Sequence, residues 1–223
     1  MKKIILDVDT GIDDALAIAY AALSSEIQLL GITTSYGMAP VEYTFRNSRK
    51  IVEMLGKNIP VYKGSKKPLV LERIYSGKIH GEDGLGNTLG AVVDTSGDDR
   101  KDAVDFIIEQ VRKHKKELTL VTTGPLTNLA TVLKKDPAII DMIGQVVSMG
   151  GAFMTPGNVN KFAEANITID PHAANRVFKS KLPITMVGLD VTRKTLLTKR
   201  DVDVWREKNT DVSNFFADFV EYY

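Results

Sequence analysis

The sequence carries a run of aspartates near its N-terminus, in the segment LDVDTGIDD. Asp7 and Asp9 end a short apolar stretch, and alternate residues of a strand point to the same side of a sheet. Gly11 allows a sharp turn that would bring Asp13 and Asp14 back beside them. Carboxylates at such distances repel one another strongly in a partly dehydrated site, and a hard divalent cation relieves that repulsion. With oxygen ligands, no cysteine and few histidines, the pattern favours calcium or magnesium over zinc.

A simpler interpretation exists for Asp13 and Asp14 taken singly, because either could cap the helix that follows. It does not account for the whole run, since solvated aspartates do not require a buried apolar stretch such as KIIL in front of them. The run therefore predicts a metal site at the end of the first strand.

A second group of polar residues follows later strands, at 122–128, 149–151, Asn158, Glu164 and Asn166. Taken singly these are weak signals, because a loop asparagine or glycine usually serves a turn and a glutamate usually lies on the surface. Their convergence on one rim of a sheet favours a functional role for Glu164 and Asn166 and leaves Asn158 open. Amides and carboxylates around a cation suit a polyhydroxylated ligand such as a sugar.

The elements that must position these side chains follow a regular order, in which apolar runs of strand length alternate with longer segments of helical period. Such alternation is typical of the α/β class, here a mostly parallel open sheet flanked by helices, of the Rossmann-like type. Open parallel sheets bind ligands at the carboxyl ends of their strands, so both polar groups are expected at one edge. The sequence shows no repeat or linker, so residues 1–223 are predicted to form one domain.

The predicted elements have the following bounds. Strands are predicted at residues 3–9, 27–34, 118–121, 145–149 and 182–187, with a short strand or extended turn at 59–62. Helices are predicted at 13–22, 41–55, 99–115 and 171–178, together with a turn and helix over 124–135 and two helices within 199–223. Long loops are predicted at 63–97 and 151–170, and the first is a candidate lid or pocket wall.

The composition excludes several classes of protein. Lysine and arginine number 29 against 28 acidic residues, which disfavours a nucleic-acid binder that works by neutralising phosphates. A content of 43% hydrophobic and 26% charged residues is typical of a globular domain. Asp7 interrupts the first apolar run too early for a signal peptide or a membrane span. Together with the lack of cysteine, this predicts a cytoplasmic protein that binds no membrane.

The motifs resemble those of the inosine–uridine preferring nucleoside hydrolases. In chain order they are LDVDTGIDDA, GITTSYG, HGEDGLG, TTGPLTNLA, VVSMGGAF, GNVN-KFAEANITIDPHAA and ITMVGLDVT. The resemblance runs from Ile4 to about Thr192. It implies the nucleoside hydrolase fold, hydrolysis of the N-glycosidic bond of a ribonucleoside to free base and ribose, a tightly held Ca²⁺, and assembly as a homodimer or homotetramer.

The resemblance also implies roles for individual residues. Asp9 and Asp14 would bind the Ca²⁺, with the backbone carbonyl of Thr123 as a further ligand. Asp7 would be a further member of this metal site and would support the other carboxylates. Asp9 would also act as general base toward a calcium-bound water. The residues that would hold the ribose hydroxyls are Asp13, Met149, Asn158, Glu164 and Asn166.

The sequence departs from the family pattern at two places. The family has an asparagine after the glycine of the second-strand motif, whereas Gly37 is followed here by Met38, whose thioether cannot replace an amide. One polar contact to the ribose or to a calcium-bound water is therefore expected to be lost. Family chains also continue through a His-Asp pair that binds calcium and protonates the departing base. This sequence ends at Tyr223 before such a pair, so a domain truncated at its C-terminus is expected.

Three functions stay open on these grounds. The first is a calcium-dependent nucleoside hydrolase, in which His80 of the long loop is the remaining candidate to contact the base as a leaving-group acid, the alternative being a plain exposed histidine. The second is a catalytically impaired homologue that binds calcium or ribose. The third is a haloacid-dehalogenase-like phosphatase, with Asp7 as nucleophile and Asp9 as acid/base around Mg²⁺. The later motifs favour the first, and they do not rank purine against pyrimidine nucleosides.

Overall fold

The computed structural model describes residues 1–75, 79–90 and 102–223, and it confirms the predicted α/β architecture. Within these ranges the strands form one parallel sheet in the order β3-β2-β1-β4-β5-β6. The strands are β1 (Lys2–Val8), β2 (Ile27–Thr34), β3 (Val61–Lys63), β4 (Leu118–Thr122), β5 (Gln145–Met149) and β6 (Ile184–Val187). The α-helices are α1 (Ile12–Leu23), α2 (Val41–Met54), α3 (Ala103–His114), α4 (Thr127–Lys135), α5 (Ile139–Met142), α6 (Ala165–Ile169), α7 (Pro171–Phe178), α8 (Leu189–Thr192), α9 (Lys199–Lys208) and α10 (Asp211–Tyr222). In the described parts of the chain, every helix is too short or too polar to cross a bilayer.

The central strand β1 explains why helices cover both faces of the sheet. It is buried from Ile4 to Val8, and successive side chains of a strand point to opposite faces. Ile5 packs into an apolar cluster with α3, α4 and α7, whereas Leu6 and Val8 pack into a second cluster with α1, α2 and α10. A strand buried on both faces needs an unbroken apolar sequence, which this segment has.

The strand order places a crevice at the carboxyl ends of β1 and β4. The chain runs outward from β1 through β2 to β3 and then returns to β4 on the other side of β1. The connections that follow β1 and β4 therefore diverge, and ligands bind at such a switch point. Asp9 follows β1 and Thr123 follows β4, and the two loops are joined where the Thr123 N–H donates to the carbonyl of Asp7 at 2.9 Å.

Some predicted elements differ from the structure. The loop predicted at 151–170 is wrong at its end, where α6 forms because the Glu164 side chain accepts hydrogen bonds from the Asn166 and Ile167 N–H groups. Such a five-residue helix is too short to show a period in the sequence, and the same holds for α5 and α8. The predicted helix 99–115 is α3, and its first residues, 99–101, lie outside the described residues, as do 76–78 and 91–97 of the first long loop.

We predict that Gly31→Ala in β2 destabilises the fold by about 1–3 kcal/mol, because overpacking a core displaces its neighbours. A Cβ at Gly31 would lie 2.6 Å from Cζ of Phe106, whose ring stacks on Tyr62 at 3.9 Å between centroids. Urea unfolding would measure the loss. Phe106→Leu, tested alone and with Gly31→Ala, should recover part of it, and an unchanged unfolding midpoint for Gly31→Ala would contradict this packing.

Candidate active site

The carboxylate of Asp9 lies in a close-fitting cradle of main chain. The N–H of Met38 donates to Oδ2 at 2.9 Å. A Cβ added at Gly37 would lie 1.8 Å from Oδ2, and one at Gly124 would lie 2.6 Å from Oδ1, so side chains at these positions would displace the carboxylate. Asp9 is 3% exposed, and burial raises its pKa to about 7, with the negative charge of Asp13 adding to the rise.

Asp14 brings a second buried carboxylate to the same place from the first turn of α1. Its Oδ2 accepts from the Gly11 N–H at 2.9 Å, and its Oδ1 accepts from the Thr123 hydroxyl at 2.5 Å. Burial raises the pKa of Asp14 well above its usual value, and the charges of Asp13 and Asp9 raise it further. Of the four carboxylates predicted to converge, Asp9 and Asp14 are thus buried near each other, with Asp13 close enough to affect both, and their charges would attract a cation.

Asp7 lies behind this pair and is held by the surrounding fold. Its Oδ1 accepts from the Thr33 hydroxyl and from the side-chain amide of Asn128, both at 2.7 Å. Asn128 also donates to the carbonyl of Thr34 and accepts from the N–H of Ser65. Asp7 thus ties β1 to β2 and α4, an arrangement that suits the supporting role. The sequence pointed to Asn128 only as a member of the polar group at 122–128 and gave no role for it.

Asn166 connects members of the second predicted polar group, which itself meets the aspartates through the Thr123 hydroxyl bound to Asp14. The side-chain amide of Asn166 donates to the carbonyl of Thr123 at 2.7 Å and to that of Met149 at 3.3 Å, which joins the ends of β4 and β5. The carboxylate of Glu164 is buried and accepts from main-chain N–H groups, including those of Asn166 and Gly151 at 3.0 Å. Both side chains therefore shape the rim of the crevice.

Asn158 lies at the exposed end of this group. Its side-chain carbonyl accepts from the Ala165 N–H at 3.0 Å, which fastens the preceding loop to the start of α6. The side chain is tied to the rim while the residue faces solvent.

His80 lies on the other side of the crevice and is 7% exposed, so the interpretation of an exposed loop histidine is wrong. Its Nδ1 accepts from the Ile12 N–H at 3.2 Å, and its Nε2 lies 4.0 Å from Oδ1 of Asp13. The ring of Tyr223 stacks beside the imidazole at 5.2 Å between centroids. Burial lowers the pKa of His80, and Asp13 offsets part of that effect. The sequence gave no signal that Tyr223 would reach this site.

The segment 79–90 that carries His80 is folded around the buried Asp83. The carboxylate of Asp83 accepts from the N–H groups of Leu85, Asn87 and Leu89 at 2.7–2.9 Å. The side-chain amide of Asn47 donates both to the Asp83 carbonyl at 2.8 Å and to the Thr10 carbonyl at 3.2 Å. The segment is thus fixed to α2 and to the end of β1. The sequence did not predict this attachment.

The donors at the crevice fit a hard cation. Among the residues that the structure describes, no three Asp, Glu, His or Cys side chains already converge as a metal-binding group. A cation would therefore be held by Asp9 and Asp14 together with an uncharged oxygen such as the Thr123 carbonyl, which has a second lone pair beyond the one that Asn166 uses. Two buried like charges with raised pKa values in one cradle are the observation that supports this fit.

The fold and the site together define an α/β protein with buried carboxylates at the switch point of a parallel sheet, where folds of this class bind ligands. The chain belongs to the inosine-uridine preferring nucleoside hydrolase family, whose model matches residues 4–223. This family consists of metal-dependent hydrolases that act on N-glycosidic bonds, so the chain is a nucleoside hydrolase by class and the phosphatase alternative loses its support.

Relatives of known name agree with this assignment. The "Inosine-uridine preferring nucleoside hydrolase" of Crithidia fasciculata is 40% identical over 224 residues, an alignment that spans 100% of this chain and 71% of that protein. The "Pyrimidine-specific ribonucleoside hydrolase RihB" of Escherichia coli strain SE11 is 38% identical, with 99% and 70% covered. The solved structure of a "Purine-Preferring Ribonucleoside Hydrolase from Gardnerella vaginalis" superposes with a TM-score of 0.94 at 45% identity, over 100% of this chain and 72% of that one.

We predict that Gly37→Ala lowers the rate of nucleoside hydrolysis by about 100-fold or more, because a displacement of about 1 Å at a catalytic group costs this much. The new methyl group and Oδ2 of Asp9 cannot occupy their present positions together. Steady-state kinetics on the folded variant would measure the loss. Gly56→Ala is the control, since no atom lies within 4 Å of its Cβ and only the strain of a φ of +62° is expected. A folded Gly37→Ala variant with the parent rate would rule out the cradle.

We further predict that Asp83→Ala loosens the segment 79–90 and lowers stability by about 1–3 kcal/mol, because buried N–H groups lose their acceptor. Hydrogen exchange followed by mass spectrometry should show faster exchange in this segment. Glu82→Ala is the matched control, because the neighbouring side chain is exposed. Equal exchange in both variants would contradict the role given to Asp83.

Proposed function

We propose that the chain hydrolyses the N-glycosidic bond of ribonucleosides to free base and ribose, with Ca²⁺ as its ion and Asp9 as the general base. The observation that carries this proposal is the buried Asp9 carboxylate, cradled between Gly37 and Gly124 at the switch point of the sheet. A carboxylate in such a cradle is fixed in position, and a fixed base within reach of a water is what proton abstraction requires.

The choice of Ca²⁺ is supported by the chemistry of the donors. Asp9, Asp14 and the carbonyl of Thr123 offer only oxygen atoms, and they come from two loops and a helix start that impose no strict octahedral geometry. When bound, the ion would lower the pKa of a water and bind hydroxyls of the sugar. We propose these three residues as the ligands, with Asp7 as the supporting member of the group.

The side chains of this protein would act on the substrate in two ways. Asp9 would take a proton from the attacking water while the glycosidic bond breaks. The anionic cluster beneath the sugar would stabilise the positive charge that develops on the ribose ring, more strongly in the transition state than in the ground state. We propose that the ribose hydroxyls bind Asp13, Met149, Asn158, Glu164 and Asn166.

Two of these ribose contacts have a second function in the structure. Glu164 and Asn166 hold main-chain groups of the rim, so their substitution would disturb the crevice as well as the contact with sugar. Met38 differs, because it holds Asp9 through its main-chain N–H while its side chain packs against Tyr36, Val41 and Ile169. The proposed loss of one polar contact at Met38 therefore concerns the side chain alone.

The substrate class is proposed as ribonucleosides without a ranking of bases. Relatives carry names that specify inosine and uridine, pyrimidines or purines, and each name applies to that protein. We also propose a single domain, a cytoplasmic location and a homodimer or homotetramer, the last on the resemblance alone. Light scattering coupled to size-exclusion chromatography would test the assembly.

The test is base release from a panel of purine and pyrimidine ribonucleosides, with and without a chelator. We expect activity that is lost with chelator and restored by Ca²⁺ better than by Mg²⁺. Asp9→Asn, which keeps the shape of the side chain, should lower the rate by about 10²–10⁴-fold, the usual contribution of a general base. Asp105→Asn on the surface is the matched control, because Asp105 pairs only with the exposed Lys135 among its described contacts.

Two outcomes would contradict the proposal. Release of phosphate from phosphomonoesters without release of base would restore the phosphatase interpretation. Binding of ribose or nucleoside by calorimetry, with hydrolysis undetectable for the whole panel, would show the catalytically impaired homologue instead.

A further inference from the structure

The imidazole of His80 is fixed in one tautomer by the start of α1. Ile12 is the first residue of this helix, so its N–H has no acceptor within the helix, and Nδ1 of His80 supplies one at 3.2 Å. A main-chain amide can only donate, so Nδ1 must carry a lone pair rather than a proton. In a neutral imidazole the proton then lies on Nε2. His80 therefore presents an N–H donor to the crevice.

Two further contacts restrict the ring, so the direction of this donor is constrained. A Cβ at Gly11 would lie 2.9 Å from Nδ1, which means that the imidazole packs directly on the glycine backbone. The ring of Tyr223 stacks on the imidazole at an interplanar angle of 21°. The carbonyl of His80 accepts from the Gly86 N–H at 2.8 Å, which anchors the residue to its own loop.

The group that faces this donor is the carboxylate of Asp13. Nε2 and Oδ1 are 4.0 Å apart, too far for a direct hydrogen bond. One oxygen atom can nevertheless lie about 2.8 Å from both. That oxygen must accept from Nε2–H and donate to the carboxylate, which a sugar hydroxyl or the water that it displaces can do and a carbonyl oxygen of a base cannot do.

We propose that His80 and Asp13 together recognise one hydroxyl of the ribose, so that His80 determines sugar specificity and is not the acid that protonates the leaving base. This inference rests on the proposed function and refines it. A role as leaving-group acid would require His80 to be protonated at Nδ1 as well. That proton would break the hydrogen bond from the Ile12 N–H and place a positive charge at the positive end of the α1 dipole.

The first test compares His80→Ala and His80→Gln on inosine, on uridine and on their 2′-, 3′- and 5′-deoxy analogues. We expect His80→Ala to lower kcat/KM by about 10-fold or more, as loss of a buried hydrogen bond does. Removal of one of the three hydroxyls should lower kcat/KM far less in this variant than in the parent enzyme. Removal of either of the other two should lower kcat/KM equally in both. His80→Gln, whose amide can donate from near the Nε2 position, should recover part of the loss. His172→Ala, at an exposed histidine, is the control. Equal costs for every deoxy analogue in both enzymes would overturn the proposal.

The second test uses 4-nitrophenyl riboside, whose leaving group departs without a proton. Because the sugar is unchanged, the deficit of His80→Ala should persist with this substrate. Full recovery of the parent rate would identify His80 as the leaving-group acid and overturn the proposal.

The third test does not depend on catalysis. Nitrogen-15 NMR of the substrate-free protein should show an unprotonated Nδ1 and a protonated Nε2 for His80, and ribose should bind more weakly to His80→Ala than to the parent in calorimetry. If the nucleoside panel shows no hydrolysis, the proposed function fails and these two measurements still decide the inference. A protonated Nδ1, or equal ribose affinity in both proteins, would overturn it.

Discussion

The repulsion between two buried carboxylates is the constraint on which the site depends. Asp9 follows β1 and Asp14 belongs to the first turn of α1, so the tight turn between them forces like charges together at the edge of the sheet. Main-chain N–H groups and one hydroxyl offset part of this cost, and glycines at 37 and 124 leave the space that the Asp9 side chain needs. Such an arrangement is stable as a charged pair only when a cation shares the space.

The described contacts separate carboxylates that are fully used by the fold from those that keep free hydrogen-bonding capacity. Asp83 and Asp170 are buried, and each accepts hydrogen bonds from three donors of the protein, so neither needs an external partner. Asp9 is equally buried, yet among the described contacts the Met38 N–H is the one group of another residue that donates to its carboxylate. Because an ionised carboxylate can accept about four hydrogen bonds, Asp9 keeps most of its capacity for water, metal or substrate.

The sequence predicted those features that arise from local pattern. The strands at 27–34 and 145–149 and the helix at 171–178 agree with the structure residue for residue, because apolar runs or periods end there at glycine, proline or polar residues. The convergence of aspartates followed from strand alternation and one glycine turn. The pairing of Asn47 with the loop around Asp83 could not be predicted, because it depends on how α2 packs against a distant segment. The site roles themselves stay predictions that the proposed variants would decide.

The N-terminus of α1 links the two halves of the crevice. Its first free N–H groups are divided between Asp14, on the side of the proposed metal, and His80, on the side of the proposed sugar contact. A shift of the helix by a fraction of an ångström would therefore move the proposed metal ligand and the proposed substrate donor together. The packing of α10 adds to this link, because Tyr222 contacts the loop at Gly86 and Tyr223 stacks on the imidazole. Residues far apart in sequence thus form one rigid unit, and rigidity of this kind is what lets a carboxylate, a cation and a hydroxyl be held at fixed mutual distances.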